Sequence, residues 1–533
     1  MGIPAYFSYI VKNYHKLLLK LSNSNLKTHN FYMDCNSIIY DCVAELDKTL
    51  SYNDSLDHLI TNVCNKIDQY INIIKPSNNI YIAFDGVAPI AKLEQQRNRR
   101  FKSQYLNNIY KHLNDTNLPD AWNTSAITPG TEFMKKLNNA LKNKYKSPTI
   151  FNVKNLVLST SDHPGEGEHK IFQYIRDNPY EHNVHNTVVY GLDADLIMLC
   201  ITHIPYCMNI NLFRETPHFI KSISLELDAN ENYIVEIKKL ADLILIEMTD
   251  TEGSSITPNK DRILDYIFIC FFLGNDFLPH FPSLNIRTGG IDKMLNAYKS
   301  TIGVTNETII CNKQINWFNL KKMVRFLADN EYDFLITETK LRNKQEAINI
   351  KKVPTTFEEK WEHFQSMPIR NRNTEKYINV FKTNWQRRYY LSLFDIEIDD
   401  ERRKQISVNF LQGLEWTFNY YIEGCVDWSW KYHYNYPPLL NDLINYIPHF
   451  NTNFLDNNIN NIPISPTLQL SYVLPKSSLH LLPVHIKDKL LGNCEQLYPE
   501  ETEFIWSYCK YFWEAHPKLP EIDLRKIHSL ISA

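Results

Sequence analysis

No stretch of about 18 uninterrupted apolar residues occurs in the chain, so no helical membrane span is expected. The N-terminus, Met1-Gly2-Ile3-Pro4-Ala5-Tyr6-Phe7, lacks the basic-then-apolar order of a secretory signal. It also lacks Ser or Thr at position 6, so the myristoylation pattern fails. The ten cysteines are scattered and form no C-x-x-C. That argues against zinc knuckles and a disulfide framework, and for reduced thiols in a cytosolic or nuclear setting. A strong positive charge is missing too, since 57 Lys and Arg face 60 Asp and Glu for a net charge of −3. Diffuse coating of nucleic acid is thereby disfavoured, while a local basic pocket is not. No tandem repeat and no low-complexity tail is apparent.

What is present is a globular composition, 44% apolar over 533 residues, too long for one ordinary core. Helices are expected over 3–21, 37–50, 56–74, 89–113, 131–145, 168–176, 195–200, 237–248 and 261–273. Strands are expected over 30–34, 79–86, 155–159, 187–190 and 209–213. Strands alternating with helices imply an α/β fold with a mostly parallel central sheet covered on both faces. Ligands bind such sheets at the carboxyl ends of the strands, where Asp34, Asp85 and Asp193 fall. From about 303 to 377 glycine is nearly absent and polar residues dominate, which reads as a helical or irregular connector. From Trp385 onward an aromatic-rich block begins, with an amphipathic helix over 401–422. The expected division is an α/β core at 1–300, a variable connector at 301–380 and a second region at 381–533.

Two acid pairs organise the first part. One is Pro164-Gly165-Glu166-Gly167-Glu168-His169-Lys170 and the other Tyr190-Gly191-Leu192-Asp193-Ala194-Asp195. Each sits where an apolar segment turns helical. A single strand-end Asp is ordinarily a turn former or a helix cap. The joint occurrence of Asp34, Asp85, Glu166, Glu168, Asp193, Asp195 and Asp276 at element ends is a different matter. Gathered together they would repel one another, and burial would cost several kcal/mol each without a cation. A hard divalent ion with oxygen ligands, Mg²⁺ or Mn²⁺, is the economical answer. Seven carboxylates suit two ions, and a pair ~3.5–4 Å apart suits phosphodiester hydrolysis.

Lys92, Gln96, Arg99 and Arg100 fall at i, i+4, i+7 and i+8 on one helix face, directly after Asp85-Gly86-Val87-Ala88-Pro89. A lysine, an amide and two guanidiniums converging suit a terminal phosphate. Most charge runs are solvated faces. Here only Glu94 opposes the five cations between Lys92 and Lys102.

At these residues the sequence resembles the XRN family of 5′→3′ exoribonucleases, within the flap-endonuclease and PIN-like superfamily. The resemblance covers Met1-Gly2-Ile3-Pro4 with Phe7, Met33 to Tyr40, Phe84 to Pro89 with Lys92 to Phe101, Ser161 to Lys170, Tyr190 to Leu199 and Gly274 to His280. A second conserved region is resembled by Trp385 to Pro438 and by Val473 to Pro483. The resemblance implies that the seven acids bind two Mg²⁺ ions, and that Lys92, Gln96, Arg99 and Arg100 hold a 5′-monophosphate. It implies that Lys92 also approaches the scissile phosphate. One of Trp428 or Trp430 would stack on a base, and the second region would wall the active site. The implied activity is processive digestion of 5′-monophosphorylated single-stranded RNA to mononucleotides, downstream of decapping enzymes. A monomer without membrane association is expected, in the cytoplasm rather than the nucleus because no separate basic localisation cluster is visible.

The chain departs from the family at Ser37, where Gly is common, and at Tyr40, where the family has a stacking His. Tyr stacks as well, at about 1–3 kcal/mol per base, but carries no charge at neutral pH. The family's large accessory domains are not seen, and compactness with abundant Asn, Ile and Lys points to a viral or reduced-genome member. Two other readings compete: a nuclease on DNA flaps or ends, and a catalytically silent RNA-binding scaffold. Degeneration to a scaffold ordinarily removes acids, and all seven are present.

Overall fold

A computed structural model describes residues 3, 5–24, 26–47, 52–114, 122–249, 261–349, 353–455 and 461–532. Met1, Gly2 and Pro4 of the N-terminal motif lie outside the described residues, as do 48–50 of the helix expected over 37–50.

Short apolar runs form seven strands: β1 (Leu18–Lys20), β2 (Asn30–Asp34), β3 (Asn79–Ala83), β4 (Asn155–Ser159), β5 (Thr187–Tyr190), β6 (Ile210–Glu215) and β7 (Asn232–Val235). They make one sheet in the order β1-β7-β6-β5-β2-β3-β4. The pairings from β6 through β5, β2 and β3 to β4 are parallel. β7 and β1 close one edge antiparallel. The expected α/β architecture, a mostly parallel sheet with helices on both faces, is the observed one.

Alternation along each strand sorts side chains into two cores. Phe31, Met33, Ile80, Ile82, Val188 and Tyr190 face one side, under α2 (Asn36–Ala44), α3 (Tyr52–Ile74) and α5 (Glu132–Lys144). Tyr32, Tyr81, Val189 and Leu212 face the other, under α1 (Tyr6–Tyr14), α6 (Gly167–Asp177) and the helices Asp195–Thr202, Ile237–Thr249 and Arg262–Cys270. Between them in sequence runs α4 (Ile90–Asn114).

The N-terminal segment differs from expectation. The helix stops at Tyr14, a 3₁₀ turn covers His15–Leu17, and Leu18–Lys20 becomes β1. Three consecutive leucines fit either period. Burial of Leu17 and Leu18 beside β7 decides for the strand. β7 itself, four residues between polar neighbours, is too short to be marked by its pattern.

Within 301–380, Trp317–Asn349 is a 33-residue helix whose Trp317, Leu320, Met323, Val324 and Leu327 join the α1/α6-side core. Phe410, Leu414, Trp416 and Phe418 of the Asp400–Ile422 helix join the same core. Farther along the long helix, the buried Arg342 donates from Nε to Glu375 Oε2 at 2.9 Å and from Nη2 to Glu375 Oε1 at 2.7 Å. Its Nη2 also reaches the carbonyls of Pro368 and Cys509, and Arg372 Nε donates to Glu375 Oε2 at 2.6 Å. Among the described residues no helix is long and apolar enough to cross a membrane.

Removing one partner of such a network strands the other charge. Arg342→Met is expected to lose about 3 kcal/mol in urea unfolding, the low end for a buried pair because Arg372 still pairs with Glu375.

Candidate active site

The parallel register sets the strand ends side by side: Asp34 of β2 is level with Ala83 of β3, and Met33 with Tyr190 of β5. Asp34, Asp85 and Asp193 therefore leave the sheet at one edge. The loop from β4 into α6 crosses that edge and is pinned there. Gly86 N–H donates to Gly165 O at 2.9 Å, and Gly165 N–H to Val87 O at 2.7 Å. The approach needs glycine, because a Cβ on Gly86 would lie 1.8 Å from the His163 carbonyl oxygen. Lys170 adds a clamp, donating to Phe84 O at 2.8 Å and Thr160 O at 3.1 Å.

α6 then starts against the acids. Gly167 N–H donates to Asp85 Oδ1 at 2.6 Å, which uses an otherwise orphan donor of the helix N-terminus. A Cβ on Gly167 would stand 2.6 Å from Asp34 Oδ1. Asn36 fixes Asp85 twice, accepting from its N–H at 3.0 Å and donating to Oδ2 at 2.6 Å.

Lys92, in the first turn of α4, ties two distant acids together. Its Nζ lies 2.5 Å from Glu166 Oε2 and 2.7 Å from Asp276 Oδ2. Burial disfavours the ammonium, but Asp276 and Glu166 hold its pKa well above the usual lysine value. Burial likewise disfavours the Asp276 carboxylate, and Lys92 reverses this and keeps Asp276 below the usual range. The other oxygen of Glu166 accepts from Tyr420 Oη at 2.7 Å.

Three other acids form no such ion pair among the described residues. Burial, then Asp85 and Asp193, push Asp34 well above the carboxylate range. Burial, then Glu166 and Asp195, do the same to Glu168. Burial and Asp276 push Asp195 up to about 7. Glu168 Oε2 and Asp195 Oδ1 are buried without a hydrogen-bond partner among the described residues. One ligand atom each from Glu166, Glu168 and His169 lies within 4.8 Å of the others. Hard oxygen donors, orphaned and crowded, fit a divalent cation.

The helix face divides its cations. Arg100 Nη2 donates to Thr128 Oγ1 at 2.7 Å, while its Nη1 and the amide oxygen of Gln96 have no partner among the described residues. Arg99 is exposed and its Nη2 reaches Tyr40 Oη of α2 at 3.4 Å. Arg97 points elsewhere, capping the carbonyls of Pro520 and Leu497 at 2.9 and 3.2 Å. Lys102 donates to Ala515 O at 2.8 Å.

Of the aromatic candidates, Tyr40 is exposed beside Arg99. Trp430 is buried, with its ring stacked on Trp416 at 5.2 Å. Trp428 is half-buried, and its carbonyl accepts from Ile90 N–H at 3.0 Å, just where α4 begins. Three neighbours of the cluster receive no role from the sequence: Asn36, His169 and Tyr420. His169 stacks on Tyr420 at 3.7 Å and is kept neutral, its pKa well below the usual value through burial and Lys92. The available signals are Asn36 two residues after a strand-end Asp, and a Tyr pair inside the aromatic block.

Residues 1–216 match the family described as XRN 5′-3′ exonuclease N-terminus, and residues 257–379 and 339–532 match the Xrn1 helical domain. The chain belongs to the XRN family. Over 672 aligned residues it is 26% identical to 5′-3′ exoribonuclease 2 of Gallus gallus, covering 100% of this chain and 70% of that protein. It is 25% identical to 5′-3′ exoribonuclease 1 of Saccharomyces cerevisiae, covering 99% of this chain and 43% of that one. With 5′-3′ exoribonuclease 1 of Schizosaccharomyces pombe the identity is 27%, over 100% of this chain and 48% of the relative. The XRN chain thus spans less than half the length of those two relatives.

Groups that orient metal ligands typically tune affinity 10–100-fold. Tyr420→Phe removes the donor to Glu166 and is expected to weaken binding of added Mg²⁺ or Mn²⁺ about tenfold by calorimetry. The fold should hold, with about 1 kcal/mol lost in unfolding.

Proposed function

We propose that this XRN protein is a Mg²⁺-dependent, processive 5′→3′ exoribonuclease on single-stranded RNA bearing a 5′-monophosphate. The observation that carries the reading is that one rigid helix joins the acid cluster to a partly unsatisfied basic face. Lys92 is locked to Glu166 and Asp276. Arg99 and Arg100 lie two turns farther along the same helix, about 11 Å.

In this reading Gln96, Arg99 and Arg100 take the terminal phosphate. Arg100 has a guanidinium nitrogen to spare, and the Gln96 amide can turn its NH₂ toward an anion. The first bases stack on Tyr40 and on Trp428, the tryptophan whose faces are not taken by Trp416. Lys92, held protonated by its two carboxylates, faces the scissile phosphate and offsets its charge. Two Mg²⁺ ions, or Mn²⁺, held by Asp34, Asp85, Glu166, Glu168, Asp193, Asp195 and Asp276, would supply an acidified water and neutralise the leaving 3′-oxygen. Asn36, Gly167 N–H and Tyr420 keep Asp85 and Glu166 oriented for that task. Each cut leaves a new 5′-phosphate for the same face. A cap or triphosphate would not fit beside Thr128 and Tyr40, so decapping enzymes would supply the substrate.

Matched RNA and DNA strands with 5′-phosphate, 5′-hydroxyl and 5′-triphosphate ends provide the test. Only the 5′-monophosphorylated RNA should vanish rapidly in Mg²⁺, leaving mononucleotides and untouched full-length strands with few intermediates. Faster loss of the DNA would overturn the RNA assignment. Asp193→Ala should abolish digestion, with RNA affinity within about threefold of wild type because phosphate contacts dominate binding. Unchanged digestion by that variant would refute the acid assignment.

A further inference from the structure

A processive enzyme that works from a closed end has a disposal problem, and the fold offers a way out. On the exoribonuclease reading above, the product mononucleotide carries the 5′-phosphate held by α4, so it lies deeper than the strand it came from. The strand fills the approach past Tyr40 and Trp428. The product must therefore leave by a second opening, or the strand must let go after every cut.

We propose that the cleft along the adjoining face of α4 is the exit passage for the nucleoside 5′-monophosphate. It measures about 1140 Å³ and runs between α4, the 273–280 loop and residues 431–435 and 513–521. That exceeds the several hundred cubic ångströms typical of a small-ligand site. Its lining includes Asp276 of the acid cluster and the exposed Arg99 of the basic face. Its outer rim carries the exposed residues Ser103, Lys518 and Glu521. Beginning at Asp276 and at Arg99, which reaches Tyr40, the cleft runs to solvent with neither Tyr40 nor Trp428 in its lining.

The lining suits an anion in transit. Of the six lysines and arginines lining the cleft, Lys431 pairs with Glu94 at 2.7 Å, Arg287 with Glu514 at 2.8 Å and Lys518 with Glu503 at 3.3 Å, while Arg97 caps carbonyls. Lys102 differs. Its ammonium donates to the Ala515 carbonyl, and among the described residues no carboxylate forms an ion pair with it. Burial lowers its pKa to about 8, so a passing phosphate would favour its charged form. Arg99 and Lys102 are three residues apart on the helix, about 4.5 Å along the axis, so one phosphate can pass from the first to the second. Trp513, Tyr434 and His433 present rings to the cleft, which any base can meet without sequence preference. Glu521 and Asp395 at the mouth repel the departing phosphate and keep it from lodging.

The test uses the full chain, 5′-³²P-labelled RNA and two variants. Ser103→Trp narrows the mouth from an exposed position, and Lys102→Glu reverses the charge. Cleavage of the first labelled nucleotide, read after denaturing quench with enzyme in excess, should stay within about twofold of wild type. The continuous rate on long RNA should fall about fivefold or more, as when product release limits turnover. Lys102→Arg should restore it, and added 5′-AMP should inhibit Lys102→Glu less than wild type. Wild-type continuous rates in both Ser103→Trp and Lys102→Glu would overturn the passage, as would a first cut slowed as much as the continuous rate. Ser103→Trp does not touch the Lys102–Ala515 bond, so it decides the matter alone if Lys102→Glu fails to fold. A wild-type protein that digests no RNA would instead remove the exoribonuclease reading itself.

Discussion

One ammonium group holds the site together. Lys92 sits between Glu166 and Asp276, which are 110 residues apart in sequence (276 − 166), and it approaches both within 2.7 Å. A buried lysine with one carboxylate would barely recover its desolvation cost, and with none it would lose its proton. With two it stays charged, and it fixes α4 relative to both the α6 loop and the 274–276 loop. Two turns on, Arg99 is exposed beside Tyr40 and Arg100 donates to Thr128, while Arg97 caps the carbonyls of Pro520 and Leu497.

The same ion triad also sharpens the electrostatic problem it leaves behind. It satisfies Asp276 and one oxygen of Glu166, while Glu168 and Asp195 keep bare buried oxygens. Protonation could relieve them, and burial raises their pKa values in that direction. Yet the surroundings orient the acids like ligands. Asn36, the α6 N-terminus and Tyr420 donate hydrogen bonds that hold Asp85 and Glu166 in place. Tyr420 in turn is held by stacking on Trp416 at 4.8 Å and on His169 at 3.7 Å. Helix Asp400–Ile422 is therefore part of the cluster's wall, anchored in the core that it shares with the sheet.

Much of this was legible in the sequence because it depends on local period and order. Parallel strands that end on acids must present them at one edge, so Asp34, Asp85 and Asp193 could be located before any coordinate. The 3.6 period separated Arg99 and Arg100 from Arg97. What stayed hidden depends on contacts between distant segments. The Leu17-Leu18-Leu19 run gains its strand only from β7 across the sheet edge. Tyr420 looks like any core aromatic until its hydroxyl meets Glu166, 254 residues away. Trp428 and Trp430 are two apart in an irregular stretch, so no periodicity could tell the buried ring from the half-exposed one.

In the proposed function, the two signs of charge together would give the site a direction. Seven acids alone would repel any phosphate chain, and the basic face alone would bind one anywhere along its length. A terminal monophosphate carries about −1.5 to −2 charges near neutral pH, against −1 for an internal diester. On the proposed reading, Arg99 and Arg100, which reach Tyr40 and Thr128, would attract the end of a strand more than its middle. With the end seated there, the next phosphates would be drawn along α4 toward Lys92 and the acids. On that reading the polarity of digestion would come from the order of charges along one helix: arginines first for the doubly charged end, lysine next for the diester, carboxylates beyond it for cations.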